Sequence, residues 1–180
     1  MANFAFYEAY SFFKVAFDLL RNQGDEELRK SVAPKLAVCA TMSDDEKMAC
    51  EAIDLHIAKA QTKIELVHAV ALNTWVRANL SDVVGSVENF KRAVGLMGRP
   101  YPEYLLLKVF QIVTMWTCSV FLEILPIRIP RKLFFGGKDI DLTNIVNMYR
   151  TVVRCYEENP SMLDSALVSF KMLVMSQLIG

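Results

Sequence analysis

Residues 43–80 read SDDEKMACEAIDLHIAKAQTKIELVHAVALNTWVRANL. No Gly or Pro interrupts them, and Ala49, Ile53, His56, Ala60, Ile64, Val67, Ala71 and Trp75 recur every three or four residues. That period puts them on one side of a helix, whereas a half-buried strand alternates every second residue. Ser43-Asp44-Asp45-Glu46 predicts the start, because in a capping box Ser43 and Glu46 satisfy each other's free backbone donors. The expectation is one long helix with room for a bend.

The same period continues on both sides. Phe6, Tyr10, Phe13, Phe17 and Leu20 mark a first helix over 4–22, and Gly24 is placed to end it in a left-handed conformation. Its seven aromatics, including Phe4, Tyr7 and Phe12, exceed what one narrow stripe buries. Asp25, Glu26 and Glu27 suit the positive end of a second helix, which Pro34 should disturb. Ser81 or Asp82 can cap a helix that ends near Gly95 or Gly98, and Arg99-Pro100-Tyr101-Pro102 is a rigid break.

Leu105 to Leu125 is apolar nearly all round. Its uncharged run, Val109 to Leu122, is 14 residues long, against about 20 needed to span a bilayer. It is therefore predicted as the central buried helix, and no integral membrane segment is expected. Pro126 stops it. A short hairpin is predicted near residues 127–141, around Gly136-Gly137. Asp141 or Thr143 can cap a helix to Glu157, and Ser161 with Asp164 opens the last one.

The predicted fold class is all-α: a single domain over 1–180, an orthogonal bundle of about seven helices. A chain of 180 residues buries about 70% of its unfolded surface and needs no disulfide or metal to fold. Cys39, Cys50, Cys118 and Cys155 form no C-x-x-C pair, so buried free thiols in a reducing, cytoplasmic setting are expected. Residues 1–10 lack the basic start of a signal peptide.

No motif marks an enzyme. There is no G-x-S-x-G, and Gly136-Gly137 is followed by Lys138-Asp139 rather than a phosphate-binding loop. Glu65-x-x-His68 has the spacing of a ligand pair in carboxylate di-iron bundles, but the position three before His56 is Ile53, so the second pair is missing. No catalytic residue, cofactor, metal site or small-molecule substrate is assigned.

Charge is balanced, with 20 Lys+Arg against 20 Asp+Glu, but unevenly spread. Residues 86–154 carry 10 basic and 5 acidic groups, a balance of +5. Lys91, Arg92 and Arg99 flank one break, and Arg128, Arg131, Lys132 and Lys138 lie in the second. Tyr101, Tyr104 and Phe134 nearby offer flat faces for bases. These form a candidate nucleic-acid interface, although dedicated nucleic-acid binders carry a strong basic excess.

Gly98-x-Pro100 through Val109, Trp116-Thr117-Cys118 and Leu125-Pro126 resemble a segment of phlebovirus-type nucleoproteins. The resemblance implies helical, RNA-coating, self-assembling behaviour. It covers about thirty residues, in a chain that is shorter than those proteins and neutral. No binding residue is carried across.

The apolar surplus at both ends points instead to self-association. Phe4, Tyr7 and Phe12 in the first helix and Met172 and Met175 in the last are the candidate interface. The expectation is a non-enzymatic helical assembly protein forming homo-oligomers, with RNA as the alternative partner.

Overall fold

A computed structural model of the chain describes residues 2–124, 142–158 and 161–179. Among them are eight helices and no strand: α1 (Ala2–Gln23), α2 (Glu26–Met42), α3 (Glu46–Ala58), α4 (Lys63–Asn79), α5 (Val83–Leu96), α6 (Leu105–Ile124), α7 (Leu142–Glu158) and α8 (Met162–Ile179). The all-α reading stands. The hairpin expected near 127–141 lies outside the described residues. The chain divides into two compact units, residues 1–89 and 90–180.

The extra helix arises where residues 43–80 split. The helix expected to run unbroken stops at Ala58, and Thr62 starts another. Thr62 Oγ1 accepts from Glu65 N (3.1 Å), and the Glu65 carboxylate accepts from Gln61 N (3.0 Å). This reciprocal cap satisfies donors that a continuous helix would have bonded internally. The capping box expected at Ser43 is also displaced. Ser43 closes α2, Asp44 sits at φ 58°, and Asp45 caps α3 by accepting from Met48 N at 3.1 Å. Asp45 is held there from outside the helix, by a hydrogen bond from the Tyr10 hydroxyl and an ion pair with Lys14 at 3.5 Å.

Pro34, expected to disturb the second helix, lies inside α2, which continues through it. A mid-helix proline costs about 3 kcal/mol, and packing against both α1 and α3 offsets it. The first core holds Phe17, Leu36, Ile53 and Val76 among five alanines, Ala33, Ala37, Ala40, Ala49 and Ala52. Side chains this small let α2 and α3 approach closely. The Arg29 guanidinium lies 4.4 Å over the Phe17 ring.

In the second unit α6 and α7 each pack on α8. α7 buries Ile145, Met148, Tyr149, Val152, Cys155 and Tyr156, a spacing of three and four, and exposes Arg150, Arg154 and Glu157. Phe90 of α5 meets Tyr101 and Tyr149 edge-on, at 5.8 and 5.1 Å between ring centroids. The end of α5 follows from Gly98 at φ 80°. Its N–H reaches Gly95 O and Arg99 N reaches Val94 O, closing the free carbonyls.

Candidate functional site

α6 is the most apolar helix, and the expectation that it is buried fails. Ser119 is its one fully buried residue. A band of partly covered positions, Lys108, Gln111, Ile112, Met115 and Leu122, flanks Ser119 at helical spacing. One such stripe is what packing on a single neighbouring helix, α8, requires. The rest of the circumference is open: Leu106 is 82% exposed and Trp116 56%, with Val109, Val113, Phe121 and Ile124 also exposed. By length and composition α6 is able to cross a membrane.

The N-terminal end of α6 is tied to α8 by Asp164. The Asp164 carboxylate accepts from the Tyr101 hydroxyl (2.7 Å) and from Ser161 Oγ, and pairs with Lys108 at 2.6 Å. Burial alone would raise this carboxyl. The hydrogen bonds from Lys108, Ser161 and Tyr101 outweigh it and hold the group below its ordinary value. The Tyr101 ring is enclosed by the ammonium groups of Lys91, Lys108 and Lys171, at 5.7, 5.7 and 5.6 Å from its centroid. Burial pushes its phenol well up, and the bond to Asp164 adds to the shift.

Between α6 and α8 lies an open cavity of about 1100 Å³. Phe110, Val113, Phe121, Leu122, Val174 and Met175 are among the apolar residues that line it. The Thr114 and Thr117 hydroxyls along it donate to their own helix, to Phe110 O and Val113 O, both at 2.8 Å. Arg99 and Lys171 bring positive charge to it, and burial, then Arg99, lowers the Lys171 ammonium below its ordinary value.

The sequence-predicted residues are scattered by comparison. Tyr7 and Phe12 are exposed on α1, Phe12 at 76%, alongside exposed Val15 and Leu19. Phe4 falls within α1, but its side chain is outside what is described. Met172 is half-buried, and Met175 is buried in the cavity wall. Lys91, Arg92 and Arg99 are exposed, whereas Arg128, Arg131, Lys132 and Lys138 lie outside the described residues. Tyr101, a proposed stacking face, is 9% exposed and shut in by its lysines, while Tyr104 is open.

Glu65 is spent on capping α4 and on Lys30 Nζ at 3.0 Å. Among the described residues no three metal-ligating side chains converge. His56 and His68 each carry a buried Nδ1 without a partner among the described residues. Cys118 is exposed on the cavity wall rather than buried as expected; Cys39 and Cys155 are buried, Cys50 is half-buried, and none of the four forms a disulfide.

Sequence reasoning missed α6 as a surface because an all-round apolar helix reads equally as core or as covered interface. The signal available was Lys108 and Glu123, which give the run two polar ends. No protein-family model, curated protein or solved structure matches this chain.

Proposed function

We propose that this chain is a non-enzymatic helical assembly protein that associates with copies of itself, chiefly through the open face of α6. The single observation behind this reading is that the most apolar helix has only Ser119 fully buried. A soluble domain rarely leaves so large a contiguous apolar surface uncovered. The exposed face of α1, with Tyr7, Phe12, Val15 and Leu19, adds a second apolar patch.

The magnitudes place the assembly in an accessible range. Covering six large apolar side chains at about 1.5–3 kcal/mol each stands against about 4–15 kcal/mol for lost freedom on association. The two ranges overlap, so the gain does not exceed the cost by enough to make the assembly indifferent to dilution. Assembly should therefore respond to concentration.

Trp116 reports on this face directly. In a Trp75→Phe protein the emission comes from Trp116 alone. It should be shielded from acrylamide at tens of micromolar and become quenchable on dilution. Quenching that is independent of concentration would reject the reading.

Membrane insertion of α6 is the second reading, motivated by its length and composition. Flotation with neutral phosphatidylcholine vesicles separates the two. Self-assembly leaves the protein in the aqueous fraction, and insertion carries it up with the vesicles. The RNA reading retains Lys91, Arg92 and Arg99 among the described residues, and loses the stacking face of Tyr101 to burial.

A further inference from the structure

The cavity between α6 and α8 combines three properties that belong together in one kind of ligand site. Its α6 wall runs from Phe110 to Leu122, about 18 Å of helix at 1.5 Å per residue. That wall is mostly apolar: its two threonines donate to their own helix, and Gln111 is the polar exception. Positive charge is added by Arg99 and Lys171, which are close enough for Arg99 to disfavour the charge on Lys171.

Lys171 is the informative residue. Among the described residues no carboxylate lies within ion-pair reach of it, and its ammonium rests on the Tyr101 ring. The nearby Asp164 is already taken by Lys108, Tyr101 and Ser161. Lys171 is a half-buried cation beside a second cation, and with no carboxylate among the described residues paired to it, an anion in the cavity would stabilise its charge. Gln111 adds an independent sign. It lines the same cavity, and its Oε1 is buried without a hydrogen-bond partner among the described residues. Such a group is normally satisfied; its amide can turn either its oxygen or its NH₂ toward a polar guest.

We propose that this cavity binds a single-chain anionic amphiphile of the fatty-acid class, with its hydrocarbon chain along α6 and its carboxylate at Lys171 and Arg99. The volume of about 1100 Å³ slightly exceeds the range of about 300–1,000 Å³ for small-molecule sites, so one long chain is accommodated. The cavity and the assembly face share Val113 and Phe121, but Val109, Trp116 and Val120 occupy another side of α6 from Phe110, Thr114 and Phe121, so substitutions at Val109 and Trp116 act on assembly and those at Lys171 on the ligand.

Calorimetric titration of the full chain with hexadecanoate, below its micellar concentration, tests this. Hexadecanoate should bind, and hexadecanol, with the same chain and no charge, should bind at least about tenfold more weakly. Lys171→Met should lose about tenfold for hexadecanoate and leave hexadecanol unchanged. This variant removes a charge that burial already disfavours, so the fold should tolerate it. Thr114→Trp narrows the cavity along the α6 wall and should weaken both. Hexadecanoate should also slow alkylation of Cys118 by N-ethylmaleimide, read by peptide mass, which locates the ligand. Absence of hexadecanoate binding, equal binding of the alcohol, Lys171→Met binding as tightly as the parent, or association with phosphatidylglycerol vesicles only would each overturn the proposal.

Discussion

The Tyr101 hydroxyl donates to the Asp164 carboxylate at 2.7 Å, on the same Oδ1 oxygen that Lys108 approaches at 2.6 Å. Three elements meet at this oxygen: the link after α5, the first turns of α6 and the start of α8. Asp164 and Lys108 are both largely screened from water, with side-chain exposures of 14% and 19%. Removing one partner therefore strands the other. Asp164→Ala should destabilise the protein by about 3 kcal/mol. Tyr101→Phe, which keeps the ring among its lysines, should cost only about 1 kcal/mol. Urea unfolding of the two variants measures the difference, and equal losses would contradict it.

Asp164 also fixes the direction of an acid response. Its folded pKa lies below its unfolded value. The unfolded chain binds the proton first, so the stabilisation is present above about pH 4 and fades as pH falls through the folded value. Asp164→Asn should flatten that part of the acid limb in pH-dependent urea midpoints. Asp45 and Asp82, also lowered by hydrogen bonds to their carboxylates, should keep a residual slope.

His56 acts nearer neutrality. Burial first, then the charges of Lys30 and His68, lower its pKa from 6.5, against the opposing pull of Glu65. The folded protein therefore takes up this proton later than the unfolded chain. Stability should begin to fall as pH drops through 6.5, and continue to fall until the folded value is passed. His56→Gln should remove this slope in thermal melts between pH 7.5 and 5.5, a range set around the ordinary histidine value. An unchanged slope would assign the response elsewhere.

Two glycines in α5 should respond oppositely to alanine. A Cβ on Gly85 would stand 2.3 Å from the Asp82 carboxylate. That carboxylate caps Gly85 N at 2.9 Å and pairs with Arg77 at 2.8 Å. Alanine gains about 1 kcal/mol in helix propensity, but losing the cap costs about the same. The displaced Arg77 pair then decides the sign, and Gly85→Ala should lower stability. A Cβ on Gly95 meets nothing within 4 Å, so Gly95→Ala should raise the unfolding midpoint.

Much of the fold was legible because the packing obeys the helical period. The Gly24 end, the Asp82 start and the existence of α7 all rest on local rules. The miss at residues 58–63 was local too: Thr62-x-x-Glu65 is a capping signature inside what reads as one apolar stripe. Asp45 was harder, since Tyr10 and Lys14 come from a distant helix to hold it. For the candidate site, periodicity identified α6 as helical and its hydropathy as apolar all round. Neither quantity distinguishes a helix inside a core from one with an exposed apolar face. The Tyr101–Asp164 link, between residues 63 apart, has no local signature at all.

Sedimentation equilibrium over a micromolar concentration series, on the parent chain and on Val109→Glu/Trp116→Glu, tests the assembly most directly. The parent should weigh more than one chain and gain mass with concentration, while the double variant stays at the mass of one chain with unchanged helicity. A parent that holds the mass of a single chain throughout the series would contradict the account.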